Sequence, residues 1–221
     1  MTIAIKTKIK ICGLNDEISV RAVIKSAADY AGFVHYSKSP RHVSIAQVTN
    51  LKSLLPASVK SVMVLVNPTD ELLAEIAREM QPDFFQLHGD EIPERLREIH
   101  KKFPQIKLIK AISVRNSDDI KKSENFYDVA DFLLFDAKPT NSNMMHGGNG
   151  ISFDWSLLAG NTPPIPIPIN WFLSGGLNVE NITDAIQQTG AKFLDVSSGV
   201  EKSAGVKSAE LIENFVKVAR K

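Results

Sequence analysis

Short, nearly unbroken apolar runs recur along the chain, at 8–12 (KIKIC), 31–36 (AGFVHY), 61–66 (SVMVLV), 84–87 (FFQL), 107–112 (KLIKAI), 132–136 (FLLFD), 170–174 (NWFLS) and 193–197 (FLDVS). Runs of this length, rich in β-branched and aromatic residues, predict strands covered on both faces. Between them the apolar residues return at helical spacing. Leu72, Leu73, Ile76, Ala77 and Met80 make one stripe, Val20, Val23, Ile24 and Ala27 another, and Leu211, Ile212, Phe215, Val216 and Ala219 the last. Thr69 or Asp70, and Asp90 before Glu91, are predicted N-terminal caps for two of these helices.

Eight strand–helix pairs emerge, with strand starts 23, 30, 23, 23, 25, 38 and 23 residues apart. Each interval holds a helical crossover, so the strands are predicted to be parallel. Eight such units in 221 residues predict a single α/β domain over 1–221, a closed (β/α)8 TIM barrel at the small end of its range. An open doubly wound sheet is the rival, and eight strands favour closure. The long interval contains Lys138 to Gly150, expected to be a mobile lid, and the proline-rich Thr162 to Pro168, expected to be an extended connector.

Composition narrows the function. Twenty-six Lys and Arg against 25 Asp and Glu leave a net charge of +1. Such a chain has no global field for nucleic acid or an anionic membrane, so an anionic ligand must be held locally. One cysteine excludes an intrachain disulfide framework and a multi-thiolate zinc site. The longest apolar run, Val62 to Val66, is far too short for a membrane helix. Met1 to Lys8 builds no signal-peptide core. The expectation is a soluble cytoplasmic protein, monomer or homodimer, without metal or cofactor.

On this fold, chemistry sits at the C-terminal strand ends. Those positions offer Cys12-Gly13, Arg41, His88, Asp136, and two Gly/Ser turns, Ser174-Gly175-Gly176 and Ser197-Ser198-Gly199. The turns follow the seventh and eighth strands, where phosphate sites recur, and glycine lets backbone N–H groups approach a phosphate. Gly175, Gly176, Ser198 and Gly199 are therefore candidate phosphate ligands; a tight turn alone is the other account of each. Cys12 is either a small buried hydrophobe or a general base, which needs a depressed thiol pKa. Gly13 would keep its site open to ligand. Asp136 ends an apolar run, which favours a protonated, donating carboxyl, unless Lys138 pairs with it. Arg41 suits bidentate capture of a carboxylate. His88 either orients substrate or bonds to backbone. The set suggests acid–base chemistry on a small anionic substrate.

Six motifs then resemble the phosphoribosylanthranilate isomerase family. They are Lys10-Ile11-Cys12-Gly13-Leu14, Phe33 to Tyr36 with Lys38 to Arg41, and Gln86 to Glu91. The others are Gly147 to Gly150 with Phe153-Asp154-Trp155, Ser174 to Asn178, and Asp195 to Glu201. The resemblance implies a cofactor-free Amadori rearrangement of N-(5'-phosphoribosyl)anthranilate in tryptophan biosynthesis. It assigns Asp136 as general acid, Cys12 as general base and Arg41 as binder of the anthranilate carboxylate, with the two turns on the phosphosugar's phosphate. His35, Ala137, Asn149, Ser174 and Ser208 depart from the family's usual residues. Two alternatives stay open. One is the related histidine-pathway phosphosugar isomerase, which carries a carboxylate where Cys12 stands. The other is a non-catalytic barrel that binds a phosphorylated ligand.

Overall fold

A computed structural model of the chain describes residues 6–137, 152–159 and 167–221. Eight parallel strands close into a barrel in chain order. They are β1 (Lys8–Cys12), β2 (Tyr30–Val34), β3 (Lys60–Leu65), β4 (Phe84–Leu87), β5 (Lys107–Val114), β6 (Phe132–Ala137), β7 (Asn170–Leu173) and β8 (Phe193–Val196). The ring shuts where β8 pairs with β1, Lys10 lying beside Asp195. Around it run α1 (Glu17–Lys25), α2 (Ile45–Ser53), α3 (Asp70–Glu79), α4 (Pro93–Lys102), α5 (Ser117–Lys122), α6 (Ile182–Thr189) and α7 (Ala209–Val218). Each of the eight predicted runs is a strand. Eight helices are not found among the described residues, because β6 is followed there only by a 3₁₀ turn, Trp155–Leu158. Lys138 to Gly150 and most of Thr162 to Pro168 lie outside the described residues. An unforeseen antiparallel hairpin, β9 (Glu201–Ser203) with β10 (Val206–Lys207), stands between β8 and α7.

Local chemistry explains the boundaries. β2 ends at Val34, short of the predicted Tyr36, because the Val34 carbonyl accepts from Val43 N–H and the chain folds back. Thr69 caps α3 through Leu72 N–H. Asp90 does not cap α4. That helix starts with Pro93, whose missing N–H needs no partner, after an Ile92 that makes no side-chain cap. Glu91 turns inward instead and meets Lys110 Nζ at 2.8 Å.

Alternation along the strands sorts the buried residues into two cores. Ile9, Ile11, Phe33, Met63, Leu65, Leu133 and Phe135 face the helices. Tyr30, Val62, Phe84, Ile109, Phe132, Leu134 and Phe172 fill the barrel. At its N-terminal end Tyr30, Phe84, Phe132, Phe172 and Phe193 form a floor of rings with centroids 5.2–5.7 Å apart. Most of these contacts are edge-to-face, the arrangement their quadrupoles favour. Below the floor three aspartates repeat one device. Asp29, Asp83 and Asp131, each just before an even strand, accept from the N–H of Ile9, Ser61 and Leu108 at the start of the preceding odd strand. This end of the barrel carries stability, and the opposite end is left for chemistry.

Phe172 is fully buried and touches three other rings of the floor. Phe172→Ala is expected to lower unfolding free energy by about 3–5 kcal/mol, the usual cost of a large core cavity, as read by urea denaturation. A loss below about 1 kcal/mol would mean that the floor is not packed as described.

Candidate functional site

The inward residues at the C-terminal strand ends line one cleft, partly open to solvent. Cys12 of β1 and Asp136 of β6 both line it, three strands apart round the ring, together with Arg41, Gln86, His88, Ser174, Asp195 and Ser197.

Cys12 is 7% exposed. Burial pushes its thiol pKa up, with Asp195 acting in the same direction, while Lys10 and Lys207 oppose both without reversing the shift. The base reading of Cys12 requires a depressed thiol, and the direction found here is the opposite one. A thiol shut away from water resists ionisation more strongly than two nearby ammonium groups can favour it.

Asp136 is held from two sides. Its Oδ1 accepts from Ala137 N–H at 2.9 Å, and its Oδ2 lies 3.4 Å from His88 Nε2. The other imidazole nitrogen, Nδ1, is 3.0 Å from Gln86 Nε2. With the amide assigned in that sense, Nδ1 accepts and the ring proton on Nε2 faces the carboxylate. Gln86 Oε1 is then buried without a hydrogen-bond partner among the described residues. The loop behind His88 is pinned: Lys110 Nζ donates to Gly89 O and to Glu91, and Glu91 accepts from the N–H groups of Asn67 and Gly89. Lys138, the expected rival partner of Asp136, lies outside the described residues.

Arg41 is no solvated surface side chain; it is 5% exposed. Its Nε donates to Glu201 Oε1 at 2.7 Å and its Nη2 to Oε2 at 2.8 Å. Lys207 Nζ shares the same carboxylate at 2.6 Å. One carboxylate thus gathers two cations at the edge of the cleft. The two partners hold the Glu201 carboxyl below the usual range although burial works against them. Gly13 is expected from sequence to keep the site open to a ligand, and the space it leaves is instead taken by a neighbouring side chain. It has φ +78°, and a Cβ there would sit 2.5 Å from Arg41 Cδ, so the absent side chain makes room for Arg41 itself.

The two Gly/Ser turns stand side by side at the ends of β7 and β8. A Cβ on Gly199 would strike Leu177 O at 1.9 Å, and one on Gly175 would lie 2.7 Å from Ala137 N and 3.1 Å from Asp136 Oδ1. Ser174 and Ser197, the first residue of each turn, line the cleft, whereas Gly175, Gly176, Ser198 and Gly199 are not among its lining residues. Among the described residues no group of three or more His, Cys, Asp or Glu side chains could hold a metal ion. No helix among them is long and apolar enough to cross a membrane.

Sequence reasoning missed Lys10, Asp195, Glu201 and Lys207. Strand parity gives away the first two: Lys10 lies two residues before Cys12 and Asp195 two before Ser197, so each faces the same way as its neighbour. Nothing local marks Glu201 and Lys207, which belong to the unforeseen hairpin. Three of the unusual residues have structural roles. Ser174 Oγ donates to Asp195, Ser208 caps α7, and His35 Nδ1 bonds to Val43 O.

Comparison with known proteins agrees with this architecture. The model of the family described as N-(5'-phosphoribosyl)anthranilate (PRA) isomerase matches residues 9–218. An N-(5'-phosphoribosyl)anthranilate isomerase of Parvibaculum lavamentivorans is 45% identical, over 97% of this chain and 98% of its own length. That of Brucella canis is 42% identical, over 94% and 91%. The solved phosphoribosyl anthranilate isomerase of Thermotoga maritima superposes with a TM-score of 0.84 at 34% identity, over 96% and 98%. Another, in complex with reduced 1-(o-carboxyphenylamino)-1-deoxyribulose 5-phosphate, gives 0.81 at 33% identity over the same shares.

The Arg41–Glu201–Lys207 cluster has a stability signature. Because the folded carboxyl lies below its unfolded value, its contribution is full above the usual carboxylate range and is lost as pH falls through the lowered value. Glu201→Gln is expected to cost about 3 kcal/mol at neutral pH, since it leaves two buried cations facing each other. Urea unfolding across a pH series should show the gap from wild type closing in acid; a gap independent of pH would contradict this account.

Proposed function

The chain belongs to the N-(5'-phosphoribosyl)anthranilate isomerase family, and we propose that Cys12 and Asp136 are the base and the acid of its reaction. The protein isomerises N-(5'-phosphoribosyl)anthranilate to 1-(2-carboxyphenylamino)-1-deoxyribulose 5-phosphate, a step of tryptophan biosynthesis. The observation that carries the assignment is that the Cys12 thiol and the Asp136 carboxyl, far apart in sequence, line a single cleft.

The chemistry needs one proton given and one taken. Asp136 donates to the furanose ring oxygen, the bond from that oxygen to C1' breaks, and the amine nitrogen's lone pair forms the Schiff base. The Cys12 thiolate then removes the C2' proton, and the electron pair flows to nitrogen to give the enolamine. Tautomerisation moves a proton from the C2' hydroxyl to C1', leaving the ketone with no atom gained or lost. The cleft supplies position as well as protons, because both groups act on one ring held between them. His88, fixed by Gln86, keeps the Asp136 carboxyl turned to the cleft. In this scheme Arg41 receives the anthranilate carboxylate on the cleft side of its pairing with Glu201, and the Lys207 ammonium keeps that region positive. The turns at Gly175-Gly176 and Ser198-Gly199 receive the phosphate through backbone N–H groups.

Cys12→Ala and Asp136→Asn are each expected to lower kcat by about 100-fold or more, the scale of a lost general acid or base. The assay is the loss of phosphoribosylanthranilate fluorescence by the purified chain, with chelator present. Full turnover in either variant would refute the assignment. Retained substrate binding with wild-type folding is expected in both. Arg41→Met is expected to raise KM about tenfold with a smaller effect on kcat, as removal of ground-state binding does; an unchanged KM would reject its role. Inorganic phosphate is expected to compete with substrate, and a Gly199→Ala variant to lose that competition; phosphate that does not compete with wild type counts against the turns.

A further inference from the structure

Lys10 is the largest charged side chain wholly inside the barrel, at 0% exposure, and the reaction as written does not use it. Its Nζ meets Asp195 Oδ1 at 2.7 Å, and Asp195 Oδ2 accepts from Ser174 Oγ at 3.0 Å. A salt bridge buried this deeply is weak support for stability, because desolvating both charges offsets most of their attraction. A hydrophobic pair would fill the same space, so the charge calls for another explanation.

Gly32 of β2 supplies it. It faces the barrel interior with no side chain, and a Cβ placed there would stand 3.1 Å from Lys10 Cε and 3.2 Å from Cys12 Sγ. The lysine tip and the sulfur thus flank one point, in a pocket that exists because β2 contributes only hydrogen. Lys10 and Cys12 also sit two residues apart on β1 and point the same way. The ammonium therefore lies under the sulfur, with Asp195 on its other side.

We propose that Lys10 is a positioning residue that stabilises the Cys12 thiolate, and that Asp195 limits how far it does so by drawing the ammonium to itself. The catalytic meaning of this device rests on Cys12 as the base; the device itself does not. Other charged groups face the sulfur's surroundings too. Lys207 reaches in from the hairpin and donates to Ser197 O and Oγ, and Ser197 Oγ bonds to Cys12 O. Its charge and that of Arg41 are both engaged by Glu201. Across the cleft stand Asp136 and His88. Of these, only Lys10 is both packed against the same point as the sulfur and held by a carboxylate of its own. The electrostatics run the same way: Lys10 and Cys12 each favour the other's charged form, and Asp195 disfavours the thiolate.

The test exploits the fact that Cys12 is the chain's only cysteine, so iodoacetamide reports on it alone. The rate of alkylation against pH gives the thiol midpoint in the full-length protein, and kcat/KM against pH gives the catalytic one. Lys10→Met is expected to move the alkylation midpoint up by about one pH unit, a tenfold loss of thiolate at a given pH. Asp195→Asn is expected to move it down. If Lys10→Met does not fold, because it strands Asp195, the neutral Lys10→Met/Asp195→Asn pair replaces it, with a midpoint expected above that of Asp195→Asn alone. An unmoved midpoint in the lysine variants, or an upward one in Asp195→Asn, overturns the proposal. If alkylation shifts as expected while the kcat/KM profile stays put, the Lys10 device stands and Cys12 as base falls.

Discussion

Everything above the aromatic floor depends on how one pair of charges is buried. Lys10 and Asp195 meet across the seam where the first and last strands join, neighbours in register though 185 residues apart in sequence. Neither charge is tolerable in that interior without the other. Barrel closure brings the two together, and the lysine shares with the Cys12 sulfur the volume left by Gly32. The thiol above, the serine beside them and the next inward residues take their places from this arrangement.

Glycine works here mainly as withheld volume. Gly13 yields to Arg41, Gly32 to a lysine and a sulfur, and Gly199 to the backbone carbonyl of the neighbouring turn. Each absence lets a polar group from another element come close to the cleft. The cleft is built from side chains converging out of separate crossovers, which is how a small barrel assembles a site without extra domains.

Most of this architecture was legible in the sequence, because a strand covered on both faces has to be apolar along its length and shows as a run. The eight runs marked the strands, and the residues at their ends marked Cys12, His88 and Asp136 as neighbours in one cleft. What escaped notice shares a physical cause. The Asp90 cap failed because Glu91 is drawn to Lys110, a partner 19 residues away that no local pattern announces. Arg41 reads as a clamp for a carboxylate, but its pairing with Glu201, 160 positions on, is invisible to local reasoning. The thiol's upward shift reflects burial, a property of the assembled barrel. Lys10 and Asp195 were within reach of period-two counting, yet a lysine among isoleucines reads first as a solvent-facing position.

The ring-packed floor also decides how the molecule exchanges with its surroundings. Five aromatic side chains close the barrel beneath the site, so among the described residues the cleft opens toward the rim and not through the floor. A sugar bound in that opening stands between the sulfur and bulk water. With Cys12 as the proposed base, hydrogen taken from the sugar would rest on the sulfur behind the bound ligand, where its exchange with solvent competes with its return to the intermediate.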